Sequence, residues 1–297
     1  MMSRYKGRTS PKEIEVCRFW CGEGNLIGDL AHCMTGSSAQ FQHNGRGPRS
    51  SINHVTVHDG FTLTDLVSYE HKHNEKNGEA NHDGSDDNLS TNCGAEGPTE
   101  DAGILALRRG LRRNQLACLF LAQGVPLLLA GDEAGNSQGG NNNNAYCQDN
   151  ETGWVDRSRL GSEDDLSDFV GELTRLRQRF PQLKPHHWAV GKKPDGSYDV
   201  KWLTPKGEEM GEADWNFPDG RFLAYILGAA AQSGEPLLIV VNGADEAVDL
   251  TGPEWPAVGR WQCVVDTANG QSNSAALELG GHWAAQPRSV LAFAGAP

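Results

Sequence analysis

The chain has 297 residues, with 26 Lys and Arg against 39 Asp and Glu, a formal net charge of −13 and seven cysteines. That acidic surplus repels the phosphates of nucleic acid and of an anionic membrane surface, so neither is expected as a partner. The apolar content and the 36 glycines are ordinary for a folded protein, and the length suits one large or two ordinary domains.

The N-terminal MMSRYKGRTSPKEIEV carries positive charge with no apolar segment behind it, so no secretory signal is expected and the expected location is the cytoplasm. Residues 14–33 place Ile14, Phe19, Trp20, Leu26, Ile27 and Leu30 at helical spacings around Gly22 and Gly24, which predicts two short helices. The run SINHVTVHDGF reads as a buried strand that ends in a polar turn at Asp59 and Gly60. Thr62 can then cap a helix bearing Leu63, Leu66, Val67 and Tyr69.

Residues 71–101 are almost devoid of large apolar side chains and predict a long loop of functional character. A helix is expected over about 104–122, terminated at Gly124, followed by VPLLLAG as a strand buried on both faces. The most apolar stretch, 116–130, is broken by Gln123, Gly124 and Pro126 and falls short of the roughly 20 residues of a spanning helix. The Asn-rich NSQGGNNNNAYCQDNETGW predicts a second loop, and DLSDFVGELTRLRQRF an amphipathic helix.

Up to Pro185 the grammar is strand, polar loop, helix, the mark of (β/α) architecture, in which the active site lies at the carboxyl ends of parallel strands. HDGF and GDEAG are then expected side by side. Beyond it come DVKWL, FLAYIL, PLLIVVN, AVDL, WQCVVD and SVLAFA, punctuated by turn residues, which predict an antiparallel β-sandwich. The expected domains are 1–186 and 187–297, with the boundary near 184–188.

Asp59 beside His58, and Asp132 with Glu133, occupy equivalent strand ends, and paired carboxylates suit acid/base or glycosyl-transfer chemistry. The competing reading is that these acids cap turns. Tyr69, Tyr146 and Trp154 stand among Asn and Asp, an arrangement that fits a sugar stacking on rings, although a loop Trp can equally be packed. His54, His58, His71, His73 and His82 suggest a metal, but an Asn/Gly/Lys loop offers no rigid shell to orient imidazoles, so no metal is expected. There is no GxGxxG, GxxxxGK[ST] or GxSxG, so no nucleotide cofactor and no serine nucleophile is expected. The cysteines form no CxxC pair, and reduced thiols are expected.

The segments from FWCGEGNLIGDLAHCMTGSSAQFQHNGRGPRSSINHVTVHDGFTLTDLVSY through HNEKNGEANHDG, NCGAEGPT and GVPLLLAGDEAGNSQGGNNNNAYCQDN resemble the C-terminal part of bacterial glycogen debranching enzymes. These form the isoamylase-type branch of the α-amylase superfamily, and the likeness covers nearly all of 17–183 and, more loosely, 199–295. It implies an α/β fold plus an all-β one: the last units, about six to eight, of a (β/α)8 TIM barrel, followed by a β-sandwich. It also implies retaining hydrolysis of α-1,6 branch linkages in glycogen or limit dextrin, with no cofactor.

On that resemblance Asp59 is the third of the family's catalytic acids, binding the hydroxyls of the sugar under cleavage, and His58 adds a further hydroxyl contact. Asp132, Glu133, Asn143, Tyr146 and Trp154 would shape the α-glucan cleft, with Tyr69 beside it. The family's nucleophile and general acid lie on earlier strands, and no carboxylate here matches either by motif. The chain alone is therefore expected to be inactive, as a fragment, a non-catalytic glucan-binding module, or a partner for a separately encoded N-terminal half. Cys21, Cys33 and Arg157 stand where the family usually has Arg, Arg and Trp. An incomplete barrel is also expected to leave two strand edges unpaired.

Overall fold

The computed structural model describes residues 16, 18–229, 234–270 and 275–297. Of the two helices expected over 14–33, residues 18–20 are helical, and residues 14, 15 and 17 lie outside the described residues. The second is α1 (Ile27–Met34), which buries Ile27, Leu30, Ala31 and Met34 along one stripe.

β1 (Ile52–Asn53) and β2 (Val125–Pro126) pair in parallel, Ile52 opposite Val125 and Asn53 opposite Pro126. The two turns expected to be neighbours thus follow adjacent strands. Both strands were expected to be longer and buried. Each is two residues, Ile52 is 57% exposed, and Val125 and Leu127 are exposed as well. The reason is the absence of neighbours: a parallel strand is buried by strands on both edges and helices on both faces, and this sheet has two members among the described residues.

After β1, Thr62 Oγ1 accepts a hydrogen bond from Asp65 N at 3.2 Å and starts α2 (Leu63–Leu66), one turn whose Leu63 and Leu66 are buried. The segment 71–101 contains a single 3-10 turn, Glu75–Asn77, and is otherwise loop. α3 (Ala102–Leu121) begins at Asp101, whose carboxylate accepts from Gly103 N at 2.8 Å and Ile104 N at 3.0 Å. It ends at Ala122, two residues before Gly124, which instead makes the turn into β2 at φ 123°; a Cβ there would sit 2.8 Å from the Ser51 carbonyl oxygen. α4 (Ser167–Arg179) packs against α3 through Phe169, Leu173 and Leu176.

The C-terminal part is antiparallel. β3 (Val200–Leu203), β4 (Phe222–Leu227), β5 (Leu237–Asn242), β7 (Arg260–Asp266), β8 (Ala276–Glu278) and β10 (Ser289–Ala296) form a six-stranded sheet in the order β3-β4-β5-β10-β7-β8. β6 (Val248–Thr251) and β9 (His282–Ala285) form a two-stranded sheet. All six expected strands are present. β8 and β9 escaped the sequence reading because they are short and flank Gly280 and Gly281 in a polar stretch.

Alternation along β4 and β5 explains why FLAYIL and LLIVV are apolar throughout, with Asn242 closing β5 as a buried donor to the carbonyls of Glu246, Ala285 and Gln286. Leu223, Tyr225, Leu227, Leu237, Ile239 and Val241 face a core shared with α1, α3 and α4, whereas Ala224, Ile226, Leu238 and Val240 face a second core under β6 and β9. Both faces are covered, so the strands are apolar apart from the Tyr225 hydroxyl and the Asn242 amide. The first core is continuous across residues 186 and 187 and is fastened by Thr267 Oγ1 donating to Asn114 Oδ1 at 2.5 Å and Asn114 Nδ2 donating to the Arg288 carbonyl at 2.6 Å.

Candidate active site at the parallel strand ends

The parallel register of β1 and β2 delivers two turns to one place. Past β1, Gly60 takes φ 99°, a left-handed value that costs glycine little, and its N–H donates to the Asn142 carbonyl at 3.0 Å. That bond ties the His58–Asp59 turn to the Asn-rich loop. His58 and Asp59 are both exposed, with Nε2 and Oδ2 3.5 Å apart. The His58 ring meets the Tyr146 ring edge-on, centroids 5.4 Å apart and planes at 72°. Asp59's negative charge pushes the Tyr146 phenol up from its usual range.

Tyr146 is 58% exposed and its hydroxyl donates to Asn144 Oδ1 at 3.2 Å. Farther along this loop Trp154 is 57% exposed, its indole N–H donating to Asp149 Oδ1 at 2.9 Å. Rings held by hydrogen bonds yet left open to solvent are suited to stacking on the CH face of a sugar, beside a carboxylate able to accept from its hydroxyls.

Asp132 does something else. It is 1% exposed, and its carboxylate accepts from the Thr56 hydroxyl and from Leu63 N, the latter at 2.9 Å, so it clamps the β1 segment and the start of α2 to the turn after β2. Burial pushes its carboxyl up to about 6 against the opposing effect of these bonds. A group so enclosed reaches no ligand at the surface; the capping reading of this acid is the one the geometry follows. Glu133 is half-buried and folds back, Oε2 accepting from Gly131 N at 3.0 Å.

Tyr69 is also inside. Its ring packs on Gly97 and Gly140 and lies edge-on to His73, centroids 5.3 Å apart. Asn143 belongs to an amide network instead of presenting a free side chain: its Nδ2 donates to Asp83 Oδ2 at 3.0 Å, while Asn77 Nδ2 donates to the same oxygen at 2.7 Å. The exposed cluster at the strand ends is therefore His58, Asp59 and Tyr146, with Trp154 on the same loop.

Three supports were not foreseen. Asp65, wholly buried, accepts from Ser137 Oγ at 2.5 Å and Gln138 N at 2.7 Å, and burial pushes its carboxyl up against those bonds. The Thr62-Leu63-Thr64-Asp65 spacing, a capping-box pattern, is the sequence signal that marks it. Glu96 accepts from Glu70 N, His71 N, His73 Nε2 and Asn92 Nδ2. Desolvation works upward on its carboxyl, but these donors prevail and hold it down at about 2. Arg177 donates to the carbonyls of Phe120, Ala122, Gly124 and Leu183, locking the turn from α3 into β2. Among the described residues no group of three or more His, Cys, Asp or Glu could hold a metal ion, and no helix is long and apolar enough to cross a membrane.

Residues 199–291 match the family described as "Isoamylase, C-terminal". A relative named glycogen operon protein GlgX homolog, from Mycobacterium tuberculosis, is 41% identical over 262 residues, covering 84% of this chain and 36% of that protein. A glycogen debranching enzyme of Serratia proteamaculans is 42% identical over 250 residues, covering 84% and 35%. The chain is a relative of the C-terminal part of bacterial glycogen debranching enzymes. It spans about a third of the length of these curated relatives.

In fold, the chain is similar to pullulanase from Bacillus acidopullulyticus, with a TM-score of 0.62 at 20% identity over 93% of this chain and 27% of that one. It is likewise similar to a type I pullulanase of Bacillus subtilis, solved with maltose, with a TM-score of 0.63 at 19% identity over 94% and 32%. The isoamylase-like match coincides with the antiparallel domain, β3 to β10. The relationship to debranching enzymes extends across the parallel strand ends as well.

Proposed function

We propose that this chain is the C-terminal part of a debranching hydrolase that cleaves α-1,6 linkages in glycogen or limit dextrin, with β1 and β2 as members of a (β/α)8 barrel. Asp59 is the acid that accepts hydrogen bonds from the hydroxyls of the sugar under cleavage, favouring the distorted, oxocarbenium-like ring; such contacts are worth several kcal/mol. His58 donates to a neighbouring hydroxyl, and Tyr146 and Trp154 offer ring faces to the glucan. The observation that carries the reading is the exposed His58, Asp59 and Tyr146 cluster at the carboxyl ends of two parallel strands.

Retaining hydrolysis needs two further carboxyl groups, one to form the glycosyl-enzyme intermediate and one to protonate the leaving oxygen. None in this chain fits either role by motif, so the chain alone binds glucan and does not cleave it. The exposed Ile52 and the open edge of β1 favour completion by more strands, whether upstream in the same polypeptide or on a separate N-terminal half.

The test has two arms. In glycogen-containing gels the purified chain is retarded, and in a reducing-sugar assay it releases nothing from limit dextrin until a polypeptide supplying the missing strands is added. Absence of retardation overturns glucan binding. Turnover by the chain alone, abolished by Asp59→Ala, overturns its dependence on a second part.

A further inference from the structure

We propose that the half-open cavity of about 190 Å3 beside α3 binds a tetrahedral oxyanion, either inorganic phosphate or the phosphate of a monoester. Arg108, Arg112 and Arg159 line it, together with Ser68, Thr99 and Ser137. Against these three cations the lining holds one carboxylate, Asp164. In a chain with a net charge of −13 such a concentration of positive charge needs a reason.

Among the three cations, Arg112 and Arg159 share two carboxylates, Asp164 and Asp156. Asp164 Oδ1 accepts from Arg112 Nη2 at 2.7 Å, which leaves Arg159 with looser ion pairs of 3.6 Å to Asp164 and to Asp156. Arg108 is 6% exposed; its terminal nitrogens donate to the carbonyls of Gly97 and Asn92 at 2.7 and 2.8 Å and also to those of Ala95 and Ser68, while its buried Nε has no hydrogen-bond partner. A buried donor without an acceptor is costly and uncommon, and it marks a place where an acceptor belongs.

The charges also crowd one another. Burial pulls the Arg112 guanidinium down, Asp164 pulls it back up, and the positive charges of Arg159 and Arg109 pull it down again. An anion in the cavity would offset that repulsion. Arginines and hydroxyl residues around one cavity suit a phosphate, which presents several acceptor oxygens in different directions; Arg159, with its longer ion pairs, and the Arg108 Nε are the donors with most left to give. The Ser137 hydroxyl already donates to Asp65 and is not free for the ligand.

The test is calorimetric titration and thermal melting of the whole chain at constant ionic strength, with inorganic phosphate in one arm, glucose 6-phosphate in the second and chloride in the third. Saturable binding and a raised Tm are expected with phosphate in either form, and not with chloride; the arm that binds more tightly identifies the source. Arg159→Gln alters a partly exposed side chain, so the unliganded Tm and circular dichroism stay unchanged while affinity falls roughly tenfold or more, the worth of one charge-assisted hydrogen bond. No saturable binding in either phosphate arm, an equal rise with chloride, or wild-type affinity in Arg159→Gln overturns the proposal. Because no glucan is involved, the outcome is independent of the debranching reading.

Discussion

Asn74 and Asn142 embrace across 68 residues of chain: Asn74 Nδ2 donates to Asn142 Oδ1 at 2.8 Å, and Asn142 N donates back to Asn74 Oδ1 at 2.9 Å. Asn142 Nδ2 goes on to the Ser85 carbonyl at 2.8 Å and Asn88 Oδ1 at 2.6 Å. The long loop after α2 and the Asn-rich loop after β2 are thus one hydrogen-bonded body, which holds the loop that carries Tyr146 against the His58–Asp59 turn. Asn142→Ala leaves the buried Asn74 amide short of an acceptor, at a cost of about 1–3 kcal/mol. Limited proteolysis of residues 71–101 is expected to accelerate accordingly; an unchanged cleavage rate would refute the role of the pair.

Gly84 offers a second handle on the same body. It sits at φ 75°, and a Cβ there would collide with the Asn142 side-chain oxygen, so Gly84→Ala combines a strained backbone with a clash. It should destabilise the loop at least as much as Asn142→Ala. The two effects should not add, since they disrupt one contact; a double variant measured by urea melts checks this.

Asp132 predicts a pH dependence. Its folded carboxyl titrates at about 6, above the ordinary value of about 4. The stability it contributes is complete below about pH 4 and is lost as pH rises through about 6, by roughly 2–3 kcal/mol at most. Asp132→Asn cannot ionise and keeps one acceptor, so its stability relative to the native chain should improve between acid and neutral pH. Urea melts at both ends of that window would contradict the burial argument if the difference stayed constant.

Glu96 behaves in the opposite sense. With its folded carboxyl held at about 2, below the usual 4.5, its contribution is present above about pH 4.5 and disappears as pH falls towards 2. Glu96→Gln should lose amide protection at Glu70 and His71 at neutral pH and approach the native chain near pH 2. Hydrogen exchange at the two residues reads this as a ratio of variant to native protection at each pH.

Tyr146 separates binding from folding. Because its ring stands 58% exposed, Tyr146→Ala should shift stability by no more than about 0.5 kcal/mol. Retardation in glycogen gels should nevertheless drop sharply. A variant that migrates like the native chain would remove Tyr146 from the glucan surface.

Much of the fold was legible because its patterns are local. The apolar alternation and turn residues beyond Pro185 fixed six strands, the Thr62 hydroxyl fixed a helix start, and the scarcity of apolar side chains fixed a loop over 71–101. His58 and Asp59 were legible as a pair at a strand end. Arg177 and Arg108 were not, since an arginine on an amphipathic helix reads as solvated, and the carbonyls these two satisfy are supplied by distant turns. Sequence likewise could not separate Asp59 from Asp132. Both follow apolar runs; one is open to water and the other is sealed by Thr56 and Leu63.

By itself the sequence determined most of the helices and loops, six of the eight antiparallel strands, and which short motifs align with debranching enzymes, because periodicity and turn chemistry act over a few residues. The tertiary structure decided which polar groups meet water. A carboxylate's accessibility is set by what packs over it from elsewhere in the chain, and β1, β2 and α3 meet only when the parallel pair and the shared core have formed. That packing turned Asp132 inward as a clamp and left Asp59, His58 and Tyr146 at the surface.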